Sequence, residues 1–396
     1  MATQNRWITL GAVFLFIGLI LSGYLTSHHY DLLYGMSGTK SVCNVSSTLD
    51  CDAVNTSNYS ELFGIPVALI AFMAFLVQLL LLLGIRAFDE EEKRKLARYY
   101  YYLTLGNVIY SAFLAIVSTF LLKIYCLFCI GLYIVAGVSF LCGYKLTRLT
   151  GAKKYFAQDL RSLFKSADAG GARGVLFVLF IIPIGSVLAH GMLTQGIKDL
   201  TPMINQSLAD WKSNTQYNFS ITNAPEMGNS SAPMQIVEFA DFQCGHCKRA
   251  APSIHAFTNA HKNDVRFIFQ NYPLDPSCNP NMKGAGGHSL SCSFAKASLC
   301  AHRQNKFFAA HDWIYERQET LNAQMIDTMA DDLKLDKNQY KTCLEDPSVM
   351  NELASQIERA RLAGLEGTPT VFVNGRLLPA GFMIPVLEAA LKDIKK

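Results

Sequence analysis

The sequence holds two CxxC motifs, a spacing at which two thiols can close and reopen a disulfide. Cys244-Gly245-His246-Cys247 follows an apolar, β-branched segment, Gln235–Phe239, and precedes a helical pattern that runs towards Asn259. The first cysteine therefore lies at a predicted helix N-terminus, where free backbone N–H groups and the helix dipole favour a thiolate. We expect His246 to add positive charge nearby. A stabilised thiolate is a good leaving group, so this disulfide is readily passed to a substrate thiol.

A zinc site and a structural disulfide are the alternative interpretations of this motif. The common zinc ribbons need a second pair of ligands within roughly 12–20 residues. No suitable CxxC lies that close to Cys247. A structural disulfide seldom closes so short a loop. We therefore interpret Cys244 and Cys247 as a redox pair, and we predict no metal site in the chain.

The second motif, Cys126-Leu127-Phe128-Cys129, begins a long apolar run. A disulfide there would lie at the depth where the head group of a lipid quinone resides. Cys43 and Cys51 lie in the loop between the first two apolar runs. Taken alone, they could equally form a structural staple. Taken together with the two CxxC motifs, they complete a series of three exchangeable pairs.

Five further cysteines remain of the eleven. Four lie in or beside a largely helical stretch of the second half of the chain, and four cysteines allow three connectivities. We favour Cys278–Cys292 and Cys300–Cys343 as structural bridges, with a second redox relay as the alternative. Cys142, alone within an apolar run, is interpreted as a packing residue.

The apolar runs themselves predict a membrane protein, since about 18 residues are needed to cross the bilayer core. There are five such runs: Ile8–Leu25, Phe63–Ile85, Leu103–Leu122, Leu127–Leu146 and Val175–Leu193. Tyr99–Tyr102 precede the third run, where we expect an interfacial aromatic belt. A cleaved signal peptide is the alternative for the first run, but no small-residue cleavage site follows it.

The distribution of Lys and Arg predicts the orientation. Many basic residues follow the second and fourth runs, and Lys40 is the only one between the first two. By the positive-inside rule, the N-terminus is cytoplasmic, the Lys40 loop is outside, and five crossings place everything after Leu193 outside. The cysteines agree with this, because none lies in a predicted cytoplasmic segment and disulfides persist on the oxidising side. The net charge of +4 is mild, and we predict no nucleic-acid partner.

The composition changes along the 396 residues, and the change predicts the domains. We predict a transmembrane domain over 1–147, a cytoplasmic loop and fifth transmembrane helix over 148–193, a linker over 194–216 and a soluble domain over 217–396. The soluble domain reads as strand, helix, strand, long helical insert, hairpin and helix. The hairpin is indicated by Asn374-Gly375 between two short strands. This is the order of an α/β thioredoxin fold with an inserted helical subdomain.

The segment 237–247, VEFADFQCGHC, resembles the active-site strand and turn of DsbA-like thiol oxidases, although many of these have proline where Gly245 stands. The resemblance implies an exposed nucleophile at Cys244 and a buried partner at Cys247. Thr368-Pro369 resembles the cis-proline loop that presents backbone to the substrate. Glu238 matches a buried acid that relays protons for the second cysteine; an exposed glutamate at a strand end is the alternative.

The first 147 residues resemble the vitamin K epoxide reductase family, above all its bacterial members, which are fused to thioredoxin-like domains through a fifth helix. The resemblance lies in the two loop cysteines, the serine-containing segment before Phe63-Gly64-Ile65-Pro66 and the CxxC at the head of the fourth helix. It implies a four-helix bundle around a quinone, either ubiquinone or menaquinone.

The same resemblance implies roles for single residues. Cys51 attacks Cys126, and Cys129 reduces the quinone. Cys43 meets the thioredoxin-like domain. Ser57 matches a loop serine near the quinone site.

These observations predict a quinone-dependent thiol oxidase. It would be a multi-pass protein of the bacterial inner membrane, with a periplasmic C-terminal domain that passes disulfides to reduced secreted or periplasmic proteins. An outward-facing disulfide reductase or isomerase is one alternative, but it would need a cytoplasmic thiol. A non-enzymatic, membrane-anchored metal-binding or chaperone module is another, but only His28-His29 suggests such clustering.

Overall fold

The chain forms two compact units in the computed structural model. The structure describes residues 2–34, 41, 43–44, 48–57, 59–152, 169–195, 199–282 and 287–396, and of 169–179 the backbone alone. The first unit comprises Met1–Tyr30 and Ser41–Lys198, and the second comprises Asp31–Lys40 and Asp199–Lys396. Lys40, with residues 35–39, 42, 45–47 and 58 of its predicted loop, and most of the predicted cytoplasmic loop, 153–168, lie outside the described residues.

The first unit is built mainly from long helices, with one short helix of five residues among them. They are α1 (Ala2–Tyr34), α2 (Cys51–Asn55), α3 (Val67–Ala87), α4 (Glu90–Ile116), α5 (Leu127–Leu149) and α6 (Ala169–Thr194). A π-helical turn, Val117–Leu122, continues α4. Among the described residues, α1, α3, α5 and the extended α4 are long and apolar enough to cross a membrane. The fifth predicted run lies in α6, whose described apolar part is Phe180–Thr194.

The second apolar run does not begin as a helix, because its first four residues, 63–66, precede α3. A small hairpin of β1 (Glu61–Leu62) and β2 (Ile65–Pro66) precedes α3. Its tip, Phe63 and Gly64, has φ angles of 54° and 77°, in the left-handed region that a helix excludes. Pro66, which has no N–H to donate, is the N-cap residue just before Val67, the first residue of α3.

The predicted aromatic belt at Tyr99–Tyr102 is also wrong in part. These tyrosines lie within α4, and Tyr99 and Tyr100 are buried in the bundle. The helix begins at Glu90, 13 residues before the apolar run starts at Leu103, because Asp89 caps it by accepting the backbone N–H of Glu92 at 3.0 Å. The ring of Tyr100 instead lies close to Gly11 of α1, whose missing side chain leaves room for its hydroxyl.

The second unit is an α/β fold around one mixed sheet. Its strands are β3 (Glu226–Gly228), β4 (Met234–Ala240), β5 (Val265–Asn271), β6 (Thr370–Val373) and β7 (Arg376–Leu377). The sheet order is β3-β5-β4-β6-β7, with β4 and β5 parallel and the other neighbours antiparallel. This is the predicted thioredoxin fold. The sequence analysis missed β3, which has three residues and is too short to show an alternating pattern.

Helices cover this sheet and form the predicted insert. They are α7 (Thr201–Ser213), α8 (Gly245–Ala260), α9 (Ser291–His302), α10 (Phe307–Glu316), α11 (Met325–Asp332), α12 (Lys337–Glu345), α13 (Pro347–Leu362) and α14 (Ile384–Ile394). α8 is the crossover that joins the parallel strands β4 and β5. α9 to α13 lie between β5 and β6 in the sequence and form the insert. The insert therefore separates the strand-helix-strand part of the thioredoxin fold from the final hairpin and helix.

The predicted linker over 194–216 contains a packed helix. α7 belongs to the second unit, whose main segment begins at Asp199 rather than at residue 217. Trp211 of α7 is buried, and its indole N–H donates to the carbonyl of Val373 at 3.0 Å. Asn214 adds a bond from its amide to the carbonyl of Leu377 at 2.9 Å. The polar composition of this segment concealed the single tryptophan that anchors it.

Two disulfides fasten the helical insert, with the pairing that the sequence favours. Cys278–Cys292 spans 6.0 Å between Cα atoms. Cys300–Cys343 spans 5.7 Å and joins α9 to α12 across 43 residues. Both distances are in the usual range for disulfides. Because the second bridge closes the longer loop, it removes more conformational freedom from the unfolded chain.

Replacing Cys300 and Cys343 by alanine should therefore lower the free energy of unfolding of the second unit, by about 2–4 kcal/mol. The measurement is denaturant unfolding of the full chain in detergent, followed by tryptophan fluorescence. Under native conditions, this variant should still oxidise substrate thiols through the Cys244–Cys247 pair. An unchanged unfolding midpoint together with lost turnover would contradict a structural role and indicate a redox one.

Candidate active sites

The CGHC motif lies at the junction of β4 and α8. Cys244 is the N-cap residue of α8, with extended backbone, and Cys247 lies in the first helical turn. Cys247 is completely buried, whereas Cys244 keeps 6% of its surface exposed. The resemblance implied an exposed nucleophile, so Cys244 is more covered than expected. The reason is the loop before β6, because the carbonyl of Thr368 lies 3.3 Å from the Cys244 sulfur.

The register of the sheet brings this loop to the motif. β6 pairs with β4 in antiparallel fashion, so that Thr370 lies opposite Phe239, near the end of β4 that leads into the motif. The Thr368–Pro369 bond is cis, as the resemblance implies. The hydroxyl of Thr370 donates to the carbonyl of Gly367 at 2.7 Å and closes the turn. Thr368 thus offers backbone beside the reactive sulfur, where a substrate strand could bind.

The two thiols of the motif differ strongly in acidity. Hydrogen bonds lower the pKa of Cys244 to about 5, against the opposing effect of burial, and the largest contribution comes from the Cys247 thiol. The backbone N–H groups of Cys247 and His246 make smaller contributions. Burial raises the pKa of Cys247 well above its ordinary value. Only Cys244 is therefore a thiolate near neutral pH, and it is the sulfur that can attack.

The side chain of His246 contacts the next turn of α8. Its Nδ1 lies 2.8 Å from the Nη2 of Arg249, and a guanidinium can only donate, so Nδ1 accepts in this contact. His246 also lowers the pKa of Cys244 through its backbone N–H.

Gln318 is a residue near this motif that the sequence analysis missed. Its amide nitrogen lies 2.8 Å from the carbonyl oxygen of Phe242 and 3.0 Å from that of Cys244. It therefore ties the helical insert to the turn that carries the first cysteine. Nothing in the local pattern around Gln318 indicates this, because the partners are 74 and 76 residues away.

Glu238 is a buried carboxyl group on β4. Its exposure is 1%, which excludes the alternative of a solvated strand end. Neither carboxyl oxygen has a hydrogen-bond partner among the described residues. Burial, with a smaller contribution from the charge of Cys244, raises the pKa of Glu238 to about 8. A carboxyl group of this kind can take up or release a proton in the range where the thiols exchange.

The raised pKa of Glu238 predicts a pH-dependent stability. The folded state holds a proton that the unfolded chain loses above pH 4.5, so stability should fall as the pH rises from about 4.5 to about 8. Glu238→Gln removes this linkage. For the reduced protein, we expect the free energy of unfolding of Glu238→Gln to rise by a few kcal/mol relative to that of the unsubstituted chain as the pH rises from 5 to 8.

Unfolding of both proteins by denaturant at a series of pH values checks this. The control is Glu345→Gln at an exposed position, which should follow the pH dependence of the unsubstituted chain. Parallel curves for the Glu238→Gln and unsubstituted proteins would show that Glu238 is ionised in the folded state.

In the first unit, the structure brings the Cys51 segment alongside the second CxxC motif. The N–H of Asp50 donates to the carbonyl of Tyr125 at 3.0 Å, and the N–H of Tyr125 donates to that of Thr48 at 2.8 Å. These bonds place the residues before Cys51 and Cys126 side by side. Both cysteines are buried, at 0% and 1% exposure. Cys51 also forms a disulfide with Cys43, with 5.9 Å between their Cα atoms.

The second CxxC motif repeats the position of the first. Cys126 is the N-cap residue of α5, and its sulfur accepts the backbone N–H of Cys129 at 3.1 Å. Cys129, in the first helical turn, is half-buried and opens onto a cavity. Two sulfurs with different surroundings therefore flank this turn: Cys126 faces the packed loop, and Cys129 faces the cavity.

The cavity and the open space at its mouth together have an empty volume of about 940 Å³. Its wall is mostly apolar and contains both Cys129 and Ser57, which the sequence analysis placed near one site. The Ser57 hydroxyl itself donates to the carbonyl of Val54 at 2.9 Å. The polar side chains of the wall also include residues that the sequence analysis missed, Asn107, Tyr110, Ser111, Ser118 and Tyr133. The first three recur at helical spacing within an apolar run, which was the available signal.

One group of possible metal ligands lies elsewhere in the second unit. His255, His311 and Asp312 bring three ligand atoms within 4.8 Å of one another. The two imidazole rings lie 4.8 Å apart and pack among phenylalanine rings. Asp312 lies 3.0 Å from the Nδ1 of His311.

Two CxxC motifs at helix N-termini, one in a thioredoxin fold and one in a membrane bundle, define a membrane-bound thiol-disulfide oxidoreductase. Residues 9–143 match the model of the vitamin K epoxide reductase family, and residues 221–393 match a thioredoxin family model. The chain therefore joins a region that matches the vitamin K epoxide reductase family to a thioredoxin-like domain.

Individual relatives match parts of the chain. A probable disulfide bond formation protein D from Bacillus anthracis is 22% identical over 242 residues, which are 59% of this chain and 100% of that protein. A Na(+)/H(+) antiporter NhaA 3 from Salinispora tropica is 29% identical over 164 residues, 41% of this chain. This chain spans about a quarter of the antiporter's length, 24%.

Solved structures also resemble the chain. A thioredoxin-like oxidoreductase from Silicibacter pomeroyi is 25% identical, with a TM-score of 0.37, covering 44% of this chain and 94% of that one. Oxidised BdbD from Bacillus subtilis is 20% identical, with a TM-score of 0.38, covering 46% and 99% respectively.

Proposed function

We propose that this protein is a quinone-dependent thiol oxidase that generates disulfides and passes them to extracytoplasmic proteins. The observation that carries the proposal is the position of Cys129, at the wall of an apolar cavity and one helical turn from Cys126. The cavity offers hydroxyl and amide groups from Tyr110, Tyr133 and Asn107, which can hydrogen-bond the two carbonyl oxygens of a quinone ring. A quinone bound there, ubiquinone or menaquinone, would accept two electrons.

The electrons would reach the cavity through three cysteine pairs. Substrate thiols reduce Cys244–Cys247, which reduces Cys43–Cys51, which in turn reduces Cys126–Cys129. Each transfer is an attack by a thiolate through a mixed disulfide, so no bound metal is needed for it. Since both domains belong to one chain, their effective concentration for each other is high.

The acidity of Cys244 supports this direction of flow. A thiolate with a pKa of about 5 stabilises the reduced form of the Cys244–Cys247 pair at neutral pH. The corresponding disulfide is then a strong oxidant that substrate thiols readily reduce. A reductase would require the opposite, a pair that gives up its electrons easily.

The first test separates the membrane pair from the soluble pair. Cys129→Ala should abolish quinone reduction, while the stored Cys244–Cys247 disulfide should still oxidise about one equivalent of a reduced peptide. Cys43→Ala should show the same single round, because the soluble pair can no longer be recharged. Purified proteins are given reduced peptide and quinone with oxygen excluded, and peptide oxidation is followed over time.

Cys142→Ala is the matched control for this test. Cys142 is a buried cysteine in the same helix as Cys129, but it packs near Gly11 on another part of the bundle. Its variant should turn over many times. Sustained turnover in Cys129→Ala or Cys43→Ala would refute the proposed relay.

The proposal also requires an orientation in the bacterial inner membrane. We place the N-terminus in the cytoplasm and the thioredoxin-like domain in the periplasm, on the basis of the Lys and Arg distribution. Fusions after Lys40 and Lys396 should then activate a reporter that works only in the periplasm. Fusions after Arg98 and Arg173 should activate only a cytoplasmic reporter. A cytoplasmic signal at Lys396 would exclude the oxidase function.

A further inference from the structure

A buried carboxylate lies next to Cys51 and contacts two other parts of the first unit. Asp52 has 1% of its surface exposed. Acidic side chains are rarely buried to this extent unless they have a partner. One of its oxygens lies 2.6 Å from the Nε2 of His28, which is itself 5% exposed. Its other oxygen accepts the backbone N–H of Ser41 at 3.2 Å. Asp52 thus links α1, the start of α2 and the segment that carries Cys43.

A second set of bonds holds the other side of Cys43. The side-chain oxygen of Asn44 accepts the N–H of Cys51 at 2.7 Å and the N–H of Asp52 at 3.2 Å. Ser41 and Asn44, which flank Cys43, are therefore both hydrogen-bonded to the first turn of α2. These contacts are independent of the Cys43–Cys51 disulfide.

The ring of Tyr24 completes the arrangement from α1. It stacks on the imidazole of His28, with 5.6 Å between ring centroids and 12° between planes. Its hydroxyl lies 3.3 Å from the hydroxyl of Ser41, which lies 3.2 Å from the Cys43 sulfur. Six hydrogen bonds and one stacked pair thus lie around Cys43.

We propose that Asp52, held by His28, is a positioning residue that keeps Cys43 beside Cys51 while their disulfide is open. This inference rests on the proposed function, because it concerns the step in which Cys51 leaves Cys43 and engages Cys126. At that point, the Cys43 segment has lost its covalent link to α2. The Asp52–Ser41 and Asn44 bonds are then what retains it.

The chemistry shows why retention matters. The Cys51 thiolate attacks the Cys126 sulfur; the Cys51–Cys126 bond forms, the Cys126–Cys129 bond breaks, and Cys129 leaves as a thiolate. The Cys43 thiolate then attacks Cys51; the Cys43–Cys51 bond forms, and Cys126 leaves as a thiolate. The membrane pair has gained two electrons, and the loop pair has lost them. The second attack is fast only if Cys43 is held at high effective concentration next to Cys51.

The same reasoning predicts the redox equilibrium of the loop pair. A disulfide between two held thiols is more stable than one between thiols that diffuse apart on reduction. Asp52→Ala should therefore make the Cys43–Cys51 disulfide easier to reduce, by about tenfold in its equilibrium constant, which is about 30 mV for two electrons. Asn44→Ala should shift it in the same direction.

The experiment uses the full chain in detergent, equilibrated in dithiothreitol and glutathione buffers without quinone, with thiols then labelled and mapped by mass spectrometry. The Cys244–Cys247 pair in the same samples provides an internal reference and should not shift. During turnover, both variants should also accumulate the Cys51–Cys126 mixed disulfide, because its resolution by Cys43 is slowed. A merely structural defect would not trap this one species.

Thr56→Val is the matched control. It removes the hydrogen bond from the Thr56 hydroxyl to the Asp52 carbonyl, at 2.8 Å in the same helix, but leaves the Asp52 carboxylate in place. Its loop pair should titrate as in the unsubstituted chain. If Asp52→Ala does not fold, Asn44→Ala decides the matter. An unshifted equilibrium without the trapped mixed disulfide would overturn the proposal, and since the titration needs no quinone, this holds even if the acceptor is another molecule.

Discussion

The hydrogen bonding of a cysteine at the start of a helix is the interaction on which both active sites depend. In each CxxC motif, the first cysteine is the N-cap residue and the second lies in the first turn. The free N–H groups of that turn point towards the first sulfur, as in the 3.1 Å contact between Cys129 and Cys126. The same local geometry thus serves a thiol couple in two unrelated folds, and the surroundings determine what each couple can exchange with.

Those surroundings come from long-range pairing rather than from the motifs. In the second unit, β4 and β6 pair so that the cis-proline loop covers Cys244. In the first unit, the bridge between Leu49 and Tyr125 aligns the loop that carries Cys51 with the start of α5. Each pairing brings a second segment, the Thr368–Pro369 loop or the segment of Cys51, to the side of the helix that carries the first sulfur.

The sequence predicts whatever depends on local pattern and composition. The apolar runs locate the membrane helices, and the CxxC motifs locate the helix starts. The cis bond at Pro369 and the burial of Glu238 were accessible only through resemblance to a family. The hairpin before α3, the burial of Tyr100 and the packing of Trp211 were not predicted, because each depends on contacts with residues far along the chain. The contact between His246 and Arg249 likewise could not be read from the composition.

Two buried carboxyl groups show how similar residues serve different ends in the two units. Glu238 has no hydrogen-bond partner for either oxygen among the described residues, so the low dielectric favours its protonated form. Its proton is held by burial alone and can be exchanged, which suits a residue beside a thiol that must gain and lose protons. Asp52 has a donor for each oxygen, from His28 and from Ser41. These two bonds fix the orientation of the Asp52 side chain, which suits a residue that holds a loop in place while a covalent bond opens and closes.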